Sequence, residues 1–184
     1  MSPALAQTKF YNEDDYYNLP DDTRAELIDG QFYNMSAPSR VHQEILMFLS
    51  NKIVNHINSK NGSCKVYPAP FAVKLFQDAD TIVEPDISVI CDTGKLTERG
   101  CTGAPDWIIE IISPGNPGHD YVRKLNLYAD AGVGEYWIAD PLTKEISVYH
   151  LKEQNFRAVS YTFQESITPG LFNDLYIDFT ELEL

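Results

Sequence analysis

Two acidic residues stand where acids are expensive. Asp86 follows Pro85 and opens an apolar run, Ile87-Ser-Val-Ile90, and Glu110 lies inside another, Trp107 to Ile112. Side chains alternate across a strand, so Glu110 shares a face with Ile108 and Ile112, while Trp107, Ile109 and Ile111 occupy the other. A run apolar on both faces marks a central, covered strand. An ionised carboxylate buried there must meet a cation or hydrogen-bond donors. Two carboxylates on neighbouring strands can converge on a hard divalent ion, since Mg²⁺ takes one or two protein carboxylates and completes its shell with water. Such an ion activates a water and stabilises charge at a phosphate.

The elements that must position these acids are legible around them. Residues 12–22 read as a short acidic helix stopped at Pro20, and residues 24–35 as a hairpin turning at Asp29-Gly30. Ile45, Leu46, Leu49, Ile53 and Ile57 recur at three- and four-residue steps, one face of a helix that begins near Ser39 as its cap. Residues 65–76 and 84–90 read as strands, the first bent or at an edge because of Pro68 and Pro70. After the Glu110 strand, residues 113–118 read as a loop. Residues 119–132 then read as a helix ending at Gly132, followed by strands at 134–140, 145–151 and 156–163. This order predicts an α/β fold, a mixed central β-sheet flanked by helices.

The chain has 184 residues, the size of one domain, here with a core at about 20–150 and acidic terminal additions. Its composition, 43% hydrophobic and 22% charged, is that of an ordinary globular protein. No apolar run is long enough to span a bilayer, and the N-terminus lacks the basic and apolar regions of a secretory signal. Cys64, Cys91 and Cys101 are too scattered for a disulfide framework or a zinc knuckle, so free packing thiols in a cytoplasmic setting are expected. The net charge of −13 counts against tight non-specific DNA binding. That acidity is uneven: the balance is −5 over residues 1–39, −1 over 40–124 and −7 over 125–184. The segment holding Asp86 and Glu110 is nearly neutral, and net charge does not decide what one cleft binds.

The layout of Pro85-Asp86, a long gap, and a glutamate in an apolar strand resembles the PD-(D/E)XK nuclease superfamily. More closely, Glu26-Leu-Ile-Asp-Gly30, Pro85-Asp86, the run Asp106 to Pro114, the series Asp120, Lys124, Tyr128, and the run Gly132 to Pro141 resemble one branch of it. That branch is the putative restriction endonuclease family, long known as a domain of unknown function. The resemblance covers roughly residues 20 to 150 in order; each motif alone is weak, and five in sequence are strong evidence for the fold. It implies a restriction-endonuclease-like core and hydrolysis of DNA phosphodiester bonds dependent on Mg²⁺ or Mn²⁺, with Asp86 and Glu110 as metal ligands. The superfamily pattern breaks two residues after Glu110, where Ile112 replaces the lysine. In this branch the missing charge is supplied from the next helix, by Lys124, which shares a helix face with Asp120 and Tyr128.

Each assignment has a plainer alternative. Asp86 after a proline can cap a turn; Glu110 can be a buried partner of Lys124 without a metal; Lys124 can pair with Asp120 on the helix surface. Glu26, in the hairpin, is either a third catalytic acid or part of a solvated strand face. His42 lies in line with Ile45, Leu46 and Leu49, and a hydrogen-bonded core histidine is a better reading than a ligand. Trp107, Tyr136 and Trp137 are most simply core. The leading expectation is a metal-dependent endonuclease whose weak or assisted hold on DNA is supplemented by a homodimer or another protein. The alternatives are a catalytically inactive binding or scaffold protein on the same fold and a hydrolase of another phosphate ester.

Overall fold

The computed structural model describes residues 9–113, 119–153 and 157–184; for residues 119–121 only the backbone is described. The chain starts with a short helix, α1 (Glu13–Tyr17), closed by a reciprocal cap in which the Asn12 side chain accepts the Asp15 amide and the Asp15 carboxylate accepts that of Asn12. β1 (Ala25–Ile28) and β2 (Gln31–Asn34) pair antiparallel around Asp29 and Gly30, whose φ of 50° and 72° suit a two-residue hairpin turn. α2 (Arg40–Ser59) begins at Ser39, whose hydroxyl accepts the His42 amide.

There follow β3 (Lys65–Pro68), β4 (Val73–Lys74), β5 (Ile82–Val83), β6 (Ile87–Ile90), β7 (Leu96–Thr97), β8 (Gly100–Thr102) and β9 (Trp107–Ile111). α3 (His119–Ala131) leads into β10 (Glu135–Asp140), β11 (Glu145–His150) and β12 (Arg157–Thr162), with a small closing pair, β13 (Ser166–Ile167) and β14 (Ile177–Asp178). The larger strands form a six-stranded mixed sheet in the order β12-β11-β10-β9-β6-β3, in which β9 and β10 run parallel and the other neighbours antiparallel. The architecture is the expected α/β one, a mixed sheet flanked by helices.

β9 is covered on both faces, as its composition requires. Trp107, Ile109 and Ile111 join Ile45, Leu49 and Ile53 of α2 in one apolar cluster, and Ile108 joins Tyr128 of α3 with Tyr136 and Ile138 of β10 in another. Glu110 therefore projects to the α3 side. The helix over that side ends where expected, at Gly132 with φ 89°.

Three features depart from the sequence reading. The run from Lys65 to Phe76 is not one strand: β3 lies at the edge of the main sheet, while β4 crosses into a second six-stranded sheet, β2-β1-β5-β4-β8-β7. That sheet is built largely of strands too short to carry a period-two signal, with the cis Ala69-Pro70 bond between its β4 and β3. The first helix ends at Tyr17, before Pro20. The cysteines are not all free: β3 and β6 pair with Lys65 opposite Ile90, which sets Cys64 opposite Cys91, and the two form a disulfide. Cys101 alone fits the expectation of a buried packing thiol. No helix among the described residues is long and apolar enough to cross a membrane.

Candidate active site

The antiparallel register of β6 and β9, with Ile87 opposite Ile109, continues one step to place Asp86 opposite Glu110. Asp86 Oδ2 accepts the Ile111 amide at 2.7 Å, so the acid does cap a strand end, and it does so beside Glu110. Its other oxygen, Oδ1, lies 3.1 Å from His42 Nε2. Both oxygens are held, from opposite elements, and each keeps lone-pair capacity for a further partner.

Glu110 meets two donors from α3. Its Oε1 lies 3.0 Å from Lys124 Nζ and 2.7 Å from the Tyr128 hydroxyl, which donates to it. These residues are four apart and therefore present on one helix face. Lys124 also reaches Glu26 of β1, at 2.9 Å. Lys124 is 4% exposed, so it does not lie out on the helix surface. Glu26, 3% exposed, is not on a solvated face either. Lys124 thus ties the hairpin sheet to the main sheet at the point where their acids converge.

Beneath Glu26 lies a second ring of polar groups. Glu26 Oε1 accepts the Glu84 amide at 3.0 Å, and the Glu84 carboxylate is in turn held by the Tyr16 hydroxyl at 2.9 Å and Arg24 at 2.8 Å. Arg24 offsets the charge of Glu84, so Glu84 adds no unpaired charge to the cluster. Burial, then the neighbouring Glu84, raises the Tyr16 pKa, and the hydroxyl stays a donor.

Burial pushes the Glu110 carboxyl up to about 7; Lys124 and the Tyr128 hydrogen bond act against that shift, while Asp86 and Glu26 add to it. The same burial, with Glu110 and Glu26 nearby, drives Tyr128 well above the ordinary phenol range. A strongly shifted carboxyl with a specific charge partner is a mark of functional sites. Burial alone is not enough for that conclusion. Glu135, also buried and raised chiefly by desolvation, is held by the Trp137 indole at 2.6 Å and the Leu171 amide at 3.1 Å, and its nearby charge partner is His150 rather than a lysine shared with a second acid. Glu110, by contrast, shares its lysine with a second acid and lies beside a third.

The sequence had named Glu26, Asp86, Glu110 and Lys124, and the structure brings them together. It adds Tyr128, for which the four-residue step from Lys124 is the signal. His42 is the buried, hydrogen-bonded histidine that the sequence suggests, and its partner is Asp86. The core readings of Trp107, Tyr136 and Trp137 hold, all three being fully buried. All of the loop at 113–118 but Ser113, and the side chain of Asp120, lie outside the described residues. Among the described residues, no three of His, Cys, Asp and Glu gather closely enough to cage an ion by themselves. Two carboxylates with open lone pairs are nonetheless a donor set that suits Mg²⁺, which keeps several waters.

Comparison with known proteins agrees with the fold. A family model described as "Uma2: Putative restriction endonuclease" matches residues 13–180. The chain is 28% identical over 126 residues to an uncharacterized protein of Synechocystis sp., an alignment covering 68% of this chain and 65% of that one, just under two thirds of the relative's own length. Its backbone is similar to the crystal structure of a putative nuclease belonging to DUF820 from Anabaena variabilis, with a TM-score of 0.74 at 21% identity over 92% of this chain and 95% of the other. At that identity the likeness speaks for the fold.

Proposed function

The chain belongs to the Uma2 family of putative restriction endonucleases, and on that premise we propose that it is a metal-dependent endonuclease hydrolysing DNA phosphodiester bonds. The observation that carries this reading is the charge balance of the site. Glu26, Asp86 and Glu110 are all buried, and among the described residues the one buried Lys or Arg is Lys124. Three carboxylates facing one ammonium leave a surplus that costs free energy in a low-dielectric setting. Burial is the main cause of the upward shift of Glu110, and Asp86 and Glu26 add to it, so a proton relieves both the desolvation and the surplus. A divalent cation relieves the surplus equally well.

Asp86 and Glu110 would hold Mg²⁺ or Mn²⁺. The bound ion would supply a more acidic water and charge neutralisation at the scissile phosphate. The protein's own groups do the rest. Tyr128 and Lys124 fix the Glu110 carboxylate, and the Ile111 amide fixes Asp86. Lys124 stands in for the lysine missing at Ile112, offering a point charge to a phosphate oxygen or an attacking water. Glu26 keeps that ammonium aimed at the cluster. A homodimer or a second protein would supply the affinity for DNA that an acidic chain lacks.

A second reading, a catalytically inactive binding protein on the nuclease fold, is favoured by one observation: Lys124 bonds both Glu26 and Glu110 directly. Plasmid cleavage separates the two. The wild type should nick or linearise DNA with Mg²⁺ or Mn²⁺ and not in EDTA, and Asp86→Asn and Glu110→Gln should be inert. A wild type inactive with every metal tried, while folded, would favour the binding protein.

A further inference from the structure

We infer that His42 is a positioning residue that sets the orientation of Asp86 for the cation, an inference that rests on the metal reading above. Its ring is 5% exposed on the core-facing stripe of α2, among residues that are otherwise almost all aliphatic. If packing were its only task, a leucine or phenylalanine would fill the place without burying two ring nitrogens. Nε2 lies 3.1 Å from Asp86 Oδ1 and is the proton-bearing nitrogen, because a carboxylate only accepts. Among the described residues no group pairs with the buried Nδ1, so the hydrogen bond the ring makes to the protein is the one from Nε2 to Asp86.

The backbone under the ring is also fixed. Ser39 Oγ accepts the His42 amide at 3.2 Å, locking the first turn of α2. A connected line therefore runs from the Ser39 cap to His42, to Asp86, to the Ile111 amide beside Glu110. With both oxygens held, the plane of the Asp86 carboxylate is set before any ion arrives. Without His42, the Ile111 amide would hold one oxygen and the other would swing about the last side-chain bond. Partners of ligating groups commonly govern metal affinity by about 10- to 100-fold.

The test is Mn²⁺ binding by calorimetry on the whole protein, with His42→Phe to remove the donor at similar volume and His42→Gln to restore one. Phe should weaken Mn²⁺ binding by about 10- to 100-fold, Gln should recover most of that, and both should melt cooperatively in EDTA. A folded Phe variant that binds like the wild type overturns the inference, as does a Gln variant as weak as Phe, which would assign the loss to packing. Should Phe fail to fold, the wild type suffices. Its His42 Nε2–H resonance should move during a Mg²⁺ titration with the midpoint measured by calorimetry, and an unmoved signal overturns the inference. A wild type that binds no Mn²⁺ sinks the metal reading itself, and this inference with it.

Discussion

The Lys124 ammonium lies 3.0 Å from a carboxylate oxygen of Glu110, buried, and reaches it from α3 rather than from the strand that carries the acid. The charge comes from α3 because Ile112 faces the same side of β9 as Glu110 and carries no donor. Lys124→Ala should abolish plasmid cleavage, a loss on the order of 10²- to 10³-fold for one preorganised electrostatic contact. It should also destabilise the metal-free protein by about 3–5 kcal/mol, because Glu26 and Glu110 are left buried without their cation. Mn²⁺ binding should persist, since an ammonium is not a ligand. Lys124→Arg should rescue little, as a planar fork does not fit where a compact charge sits between two acids. Cleavage that survives in the Ala variant would remove this lysine from the mechanism.

Glu110→Gln should separate metal binding at the site from metal binding at the acidic chain ends. An ion that binds only the folded protein adds about 2.7 kcal/mol at 100 times its Kd. The wild type should therefore melt several degrees higher in Mg²⁺ than in EDTA, and the Gln variant at the same temperature in both. Equal shifts would place the ion elsewhere.

Much of this site was readable because it rests on local rules. The apolar run around Glu110 is broken by one acid, Asp29-Gly30 sets the hairpin that carries Glu26, and the four-residue step from Lys124 to Tyr128 follows from helix geometry. The remainder depends on tertiary pairing. β4, β5 and β7 hold two residues each and exist through their neighbours, so no periodicity announces them. The Cys64–Cys91 bond requires knowing that β3 and β6 are adjacent, and 26 residues of intervening sequence hide that. His42 on the apolar stripe of α2 is legible as a hydrogen-bonded core histidine, but its partner is not. Its contact with Asp86 crosses from helix to strand, which spacing alone does not report.

Tyr128→Phe tests how Glu110 is held. The hydroxyl donates to Glu110 Oε1 at 2.7 Å in a fully buried setting. Hydrogen bonds to charged groups contribute about 1.5–3 kcal/mol, and urea denaturation at neutral pH in EDTA should show a loss of that size. The Glu110 carboxyl should rise further, because this bond opposes its upward shift. No change in stability would mean the hydroxyl is replaced by water or that Glu110 is already protonated in the metal-free protein.

The pH dependence of stability should carry the signature of Glu110. Its folded-state pKa, about 7, lies above the ordinary value of 4.5, with desolvation the largest cause. A raised carboxyl means that the folded protein binds the proton more tightly than the unfolded chain. The associated stability is fully present below about pH 4.5 and is lost as pH rises to about 7. Glu165, Asp174 and Asp178 are shifted the other way by their hydrogen bonds, so their stabilising effect is lost only as pH falls below the usual carboxylate range. Glu135 is also raised, and it is common to wild type and variant, so it cancels in their difference. In EDTA, the stability of the wild type relative to Glu110→Gln should therefore fall steadily between pH 4.5 and 7 and level off above. Saturating Mg²⁺ should flatten that slope near neutrality by holding the carboxylate ionised. Parallel curves for the two proteins in EDTA would show that Glu110 does not titrate in this window, and that Lys124 alone satisfies it.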